Sequence, residues 1–184
     1  MHFELLLTGK IPSGKGRKHS RDRLALRQQV HEQMQTLWSS KPLKDYDDLL
    51  GIAPNQGKAV VERHGKNFIT PIRESLWTAC KLDVVFYEPA DSLRITSDVA
   101  DPDNRLAGLL DVLSIPVDAE EASNLGDETY VLMEDDKLLW GVSVERRRLL
   151  RSIEGKETFC RIFVRVIPTS STLDSLAVVD IPGH

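Results

Sequence analysis

Cysteine is scarce in this chain: only Cys80 and Cys160 occur in 184 residues, too few for a disulfide framework. Each lies among alternating apolar residues, so both read as buried thiols in a reducing compartment, ahead of metal ligands or nucleophiles. No apolar run is long enough to span a membrane. The first residues show no basic-then-apolar leader pattern, so a cytoplasmic protein without membrane contact is expected. There is no G-x-S-x-G, and neither cysteine has an evident histidine partner, which argues against a covalent hydrolase. The stretch 106–136 also lacks any Lys, Arg or His.

The cations gather elsewhere. Within 10–27, Lys10, Lys15, Arg17, Lys18, Arg21, Arg23 and Arg27 stand against the single acid Asp22, a segment charge of +6 that leaves −10 for the rest of a chain of net charge −4. A basic arm beside an acidic middle suits a metal site that handles a polyanion; a solvated charged face is the other reading. Arg21, Arg23 and Arg27 sit near the start of a predicted helix, where positive charge is unfavourable, so an external anionic partner is expected. Residues 9–15 fit G-x-x-x-x-G-K, but Gly16 follows where Ser or Thr should hold Mg²⁺. Arg17-Lys18-His19-Ser20 then delays the helix that should cradle phosphate, so no nucleotide cofactor is expected.

Length and an ordinary composition (41% hydrophobic, 28% charged) indicate one domain over 1–184. Periodicity predicts a strand at 3–7 and a helix over 20–38 with Leu26, Val30, Met34 and Leu37 on one face. A surface connection with a short turn near 46–50 and a hairpin pairing 60–61 with 68–69 follow. Cys80, Leu82, Val84 and Phe86 alternate with Lys81, Asp83, Val85 and Tyr87 in a strand ended by Pro89. Further strands are predicted at 138–144 and 159–166, with an acidic, irregular segment at 114–128 and a weakly ordered tail over 169–184.

The chain is organised around Ser97-Asp98-Val99-Ala100-Asp101-Pro102-Asp103-Asn104. Leu106, Leu109, Leu110 and Leu113 follow at i, i+3, i+4, i+7, the buried stripe of an amphipathic helix. Asp101 as N-cap, Pro102 at the first helical position and Asp103 in the first turn make one sufficient account. The other is a divalent cation held by Asp101 and Asp103, since hard cations choose carboxylate oxygens. A third carboxylate is available in Glu134-Asp135-Asp136, ahead of Leu138-Leu139-Trp140-Gly141-Val142.

An Asp-x-Asp-Asn opening such a helix, with Asp111 inside it and an Asp-Asp pair at a later strand entrance, resembles the RusA family of Holliday junction resolvases. The Gly9/Pro12 loop and the basic residues behind it also resemble the family's start. The resemblance implies an α+β fold, a RusA-like mixed β-sheet with two main helices packed against it, and a homodimer. It implies an Mg²⁺- or Mn²⁺-dependent endonuclease that hydrolyses phosphodiester bonds in branched DNA during recombination and repair. Carried over by position, the catalytic metal ligands are Asp101, Asp103 and Asp136, with Asp135 a helper. Lys10, Lys15, Arg17, Lys18 and Arg21 are the expected DNA contacts. The family lysine three residues after the Asn is Ala107 here, which makes Arg105 and Lys137 candidate replacements. It also keeps open a catalytically impaired DNA-binding protein. The 114–128 insertion reads as a lid, a dimer contact or a neutral decoration.

Overall fold

The computed structural model describes residues 1–12, 20–41, 43–45, 49, 58–89, 102–149, 159–171 and 178. The alternating stretch forms the long central strand β4 (Thr78–Pro89), flanked by β7 (Phe159–Pro168) and β6 (Leu139–Leu149), while β1 (His2–Thr8) lies outside β7. β1 with β7 and β7 with β4 are antiparallel; β4 with β6 is parallel. A parallel neighbour needs a crossover, and its helix is α2 (Pro102–Leu113), the motif helix. The remaining long helix, α1 (Ser20–Trp38), has the predicted span.

One face of this mixed sheet is apolar, because alternate residues of β1, β4 and β7 point to it. Leu5, Leu7, Leu82, Val84, Phe86 and Ile162 are buried in one cluster with Leu26, Val30 and Met34 of α1 and Leu109, Val112 and Leu113 of α2. The opposite face carries polar cross-strand pairs such as Glu4–Arg161 and Asp83–Ser143.

A second sheet combines β2 (Val60–Arg63), β3 (Lys66–Ile69) and β5 (Glu128–Tyr130). The β2–β3 hairpin is the predicted one. It turns at His64-Gly65, both with positive φ (55° and 71°), the sense that lets a two-residue turn follow the strand twist.

One expectation changes. The 114–128 segment is not irregular: it contains the short helix α3 (Ala119–Ser123), whose N-cap Asp118 accepts from the Glu120 amide at 2.9 Å. Its Ile115 and Ala122 pack with Val61, Phe68 and Val131 in a second apolar cluster. Val178, in the tail expected to be weakly ordered, is buried in the main core; 172–177 and 179–184 lie outside the described residues, as does most of the 46–50 turn. The architecture is α+β, and among the described residues no helix is long and apolar enough to cross a membrane.

Candidate metal and nucleic-acid site

The site is built on the two ends of α2. At its N-terminal end Asp103, Asn104 and Ala107 are exposed. Arg105 is not: it is 7% exposed, donates to Glu88 at the end of β4 and stacks 4.6 Å above the Phe86 ring. The second Glu88 oxygen accepts from Arg146 Nη2 of β6 at 2.6 Å. Burial by itself would raise the Glu88 pKa, but the hydrogen bonds from Arg146 and Arg105 prevail and hold it below the usual carboxylate range. The expectation that Arg105 faces DNA in place of the lysine is therefore corrected; its guanidinium is committed to Glu88.

The C-terminal end of α2 is closed by α1. A helix leaves its last carbonyls without intrahelical partners. Arg27 supplies them, donating through Nη1 to the carbonyls of Val112 (3.1 Å) and Ser114 (2.5 Å) and through Nη2 to that of Asp111. Its Nε donates to Glu121 of α3 at 3.0 Å. A guanidinium suits this negative end of the dipole. Burial pulls the Arg27 pKa down, while Glu121 supports the charge. Arg23 lies 3.6 Å from the same carboxylate. Arg23 and Arg27, expected to extend the basic arm outward, thus serve the interior, with Glu121 of the insertion as their counter-charge.

The same end leads into the second acidic run. Leu113 O accepts from the Leu132 and Met133 amides, and Glu134 N donates to Ile72 O. Asp135 then accepts from Lys137 N at 3.1 Å and caps the helical turn Asp136–Leu138 that opens β6. Asp135 and Asp136 share with Asp111, Asp118, Glu121 and Glu134 a cleft of about 490 Å³, into which Arg23, Arg27 and Arg63 also face.

Asp103 does not line that cleft. It stands two turns before Asp111, about 12 Å away along the helix axis at 1.5 Å per residue. The cause is the crossover: α2 runs back against its parallel strands, so its N-terminus lies at the finish of β4 and β6 and its C-terminus at the start of β6. One chain therefore brings Asp135 and Asp136 to Asp111 and keeps them from Asp103. Among the described residues no three His, Cys, Asp or Glu side chains are close enough to hold a metal ion. Asp103 and Asp136 thus stand toward different ends of α2, and Asp101, the third expected ligand, lies outside the described residues.

Of the expected DNA contacts, Lys10, Arg21 and Lys137 are exposed, and Lys15, Arg17 and Lys18 lie outside the described residues, with the 13–15 part of the G-x-x-x-x-G-K segment. Lys137 Nζ is 3.8 Å from Asp135. Gly108 of α2 abuts the Pro12 backbone, so the loop that carries Lys10 leans on the motif helix. Both cysteines are buried, and burial pushes each thiol up to about 12. Sequence reasoning did not identify Glu88 as the partner of Arg105 or Arg27 as a helix cap. Only the acidic 114–128 stretch, short of cations, hinted at an internal arginine.

Comparison with protein-family models, curated proteins and solved structures gives no match.

Proposed function

We propose that this protein is a metal-dependent, RusA-like endonuclease acting on branched DNA as a homodimer. The observation that carries the reading is an exposed carboxylate, Asp103, on the first turn of a helix anchored at both ends, with Asp135 and Asp136 opening the strand to which that helix crosses over. Rigid carboxylates on regular elements are what a phosphodiesterase site requires. Because one chain separates Asp103 from Asp136, the reading needs Asp101 and Asp103 of one copy and Asp136 of a second copy to share a cation. Mg²⁺ or Mn²⁺ there would polarise the phosphoryl oxygen and acidify water. Exposed Lys10, Arg21 and Lys137 would hold flanking phosphates, and two-fold symmetry matches the paired incisions that resolve a junction. The two deeply buried thiols fit a reducing cytoplasm.

The test is cleavage of a labelled four-way junction in Mn²⁺ by wild type and Asp103→Asn. Paired symmetric nicks, absent from a natively folded Asp103→Asn, are expected; equal cleavage by the variant would remove Asp103 from the site.

A second reading, a junction-binding protein without hydrolysis, is favoured by Ala107 at the lysine position together with the inward Arg105. It predicts a salt-sensitive band shift and no nicks in either cation, and turnover by the reconstituted wild type would exclude it.

A further inference from the structure

The four-stranded sheet has two edges, treated in opposite ways. Along β1, helix α1 supplies a substitute strand from side chains. Gln33 Oε1 accepts from Leu6 N and its Nε2 donates to Leu6 O, both at 2.9 Å. Gln29 does the same for Thr8 N and Thr8 O, again at 2.9 Å. Each amide stands where a neighbouring peptide would, so the Leu6–Thr8 half of that edge is occupied.

β6 is the other edge. Beyond its ladder to β4, no backbone partner is found for it among the described residues. Trp140 and Val142 at its centre are 58% and 41% exposed. Trp140 is the extra residue of a bulge, since Leu139 pairs with Cys80 and Gly141 with Lys81. The charges are ordered along the strand: Glu134-Asp135-Asp136 precede it, and Arg146-Arg147-Arg148 close it. A strand that is acidic at one end, apolar in the middle and basic at the other is complementary to itself when run antiparallel.

We propose that β6 is the surface through which two copies of this chain associate, edge to edge and antiparallel, about a two-fold axis at Val142. This rests on the dimeric reading above and specifies its interface. In this register Val142 meets its own copy, Trp140 lies opposite Val144, and Asp136 comes level with Arg148 of the second copy. Arg148 pairs with Glu88 across the ladder. The acidic end of each copy therefore reaches the end of the other's sheet, where Glu88, Arg105 and the first turn of α2 stand. Association of this kind is isologous and closes on itself, with main-chain hydrogen bonds and a central apolar patch contributing together.

The experiment is sedimentation equilibrium of the full chain without DNA or divalent cation. The expected mass is twice 20.7 kDa for wild type. Val142→Lys, which sets two ammonium groups against each other at the axis, is expected to sediment as a monomer with an unchanged circular dichroism spectrum. As a second variant, Val142→Cys is expected to form a covalent dimer under mild oxidation, because only a residue on the axis faces itself. Val117→Cys, at an 85% exposed position, is expected not to. A monomeric wild type, a Val142→Lys protein that remains dimeric, or a Val142→Cys protein that cross-links no faster than Val117→Cys would overturn the proposal. Since neither substrate nor metal enters, a monomeric wild type strikes this interface and the shared cation together, a dimer insensitive to Val142→Lys and not cross-linked through Val142→Cys strikes this interface alone, and a dimer that does not cut strikes the nuclease reading alone.

Discussion

Gly108 lies so close to the Pro12 carbonyl that no side chain fits between α2 and the N-terminal loop: a methyl group there would fall 2.9 Å from the carbonyl carbon and closer still to its oxygen. The obstruction is backbone on both sides and cannot swing away. Gly108→Ala is expected to destabilise the protein by about 1–3 kcal/mol, the usual cost of overpacking, although alanine favours an isolated helix by about 1 kcal/mol. Urea unfolding reads the sign directly; a stabilised variant would mean that the loop does not rest on the helix.

Arg27→Met should cost about 3–5 kcal/mol, because it leaves the Glu121 carboxylate and the carbonyls of Asp111, Val112 and Ser114 without their shared donor. Arg27→Lys should recover only part of this, since one ammonium cannot span four acceptors. Arg21→Met, at an exposed position of the same helix, should stay within about 0.5 kcal/mol of wild type. Urea midpoints of the three variants distinguish an internal cap from an outward-facing basic helix.

Glu88 makes stability depend on acid. Its folded pKa lies below the unfolded value of 4.5 because Arg146 and Arg105 outweigh its burial. Its contribution is therefore fully present above that unfolded value and disappears as the pH falls through the folded one. Glu88→Gln should be less stable than wild type at neutral pH, with the gap narrowing below about pH 4 as the wild-type carboxylate is protonated. Parallel urea titrations across that range check this. A gap independent of pH would mean that the paired charges contribute nothing beyond packing.

A cation shared between chains has a kinetic signature. Asp103→Asn and Asp136→Asn should each be inactive, yet their mixed dimers contain one site with both carboxylates intact. Random reassociation should restore about a quarter of wild-type nicking, because half of the dimers are mixed and each has one working site. The recovered cuts should be single rather than paired. A mixture as inactive as its components would place both carboxylates in a site within one chain.

Neither Cys80 nor Cys160 should react with a disulfide reagent in the native state, since burial keeps each thiol protonated near neutral pH. Both should react in urea, and the native-state rate should follow global unfolding. Fast modification of one thiol would reveal local opening of β4 or β7.

Much of this protein was settled by local pattern. The span of α1, the inward side of β4, the His64-Gly65 hairpin and the start of α2 at Pro102 follow from spacings, turn residues and a proline that act within a few neighbours. The destinations of the charges required the tertiary structure. Arg23, Arg27 and Arg105 have the same residue types as Arg21, yet their partners are main-chain carbonyls and carboxylates that lie, for Arg23 and Arg27, more than eighty positions away, acceptors that leave no trace beside the arginine. Asp103 and Asp136 look like members of one cluster in the sequence. The parallel β4–α2–β6 crossover holds them at opposite ends of one helix, because a connection between parallel strands must run back along the full length of the sheet.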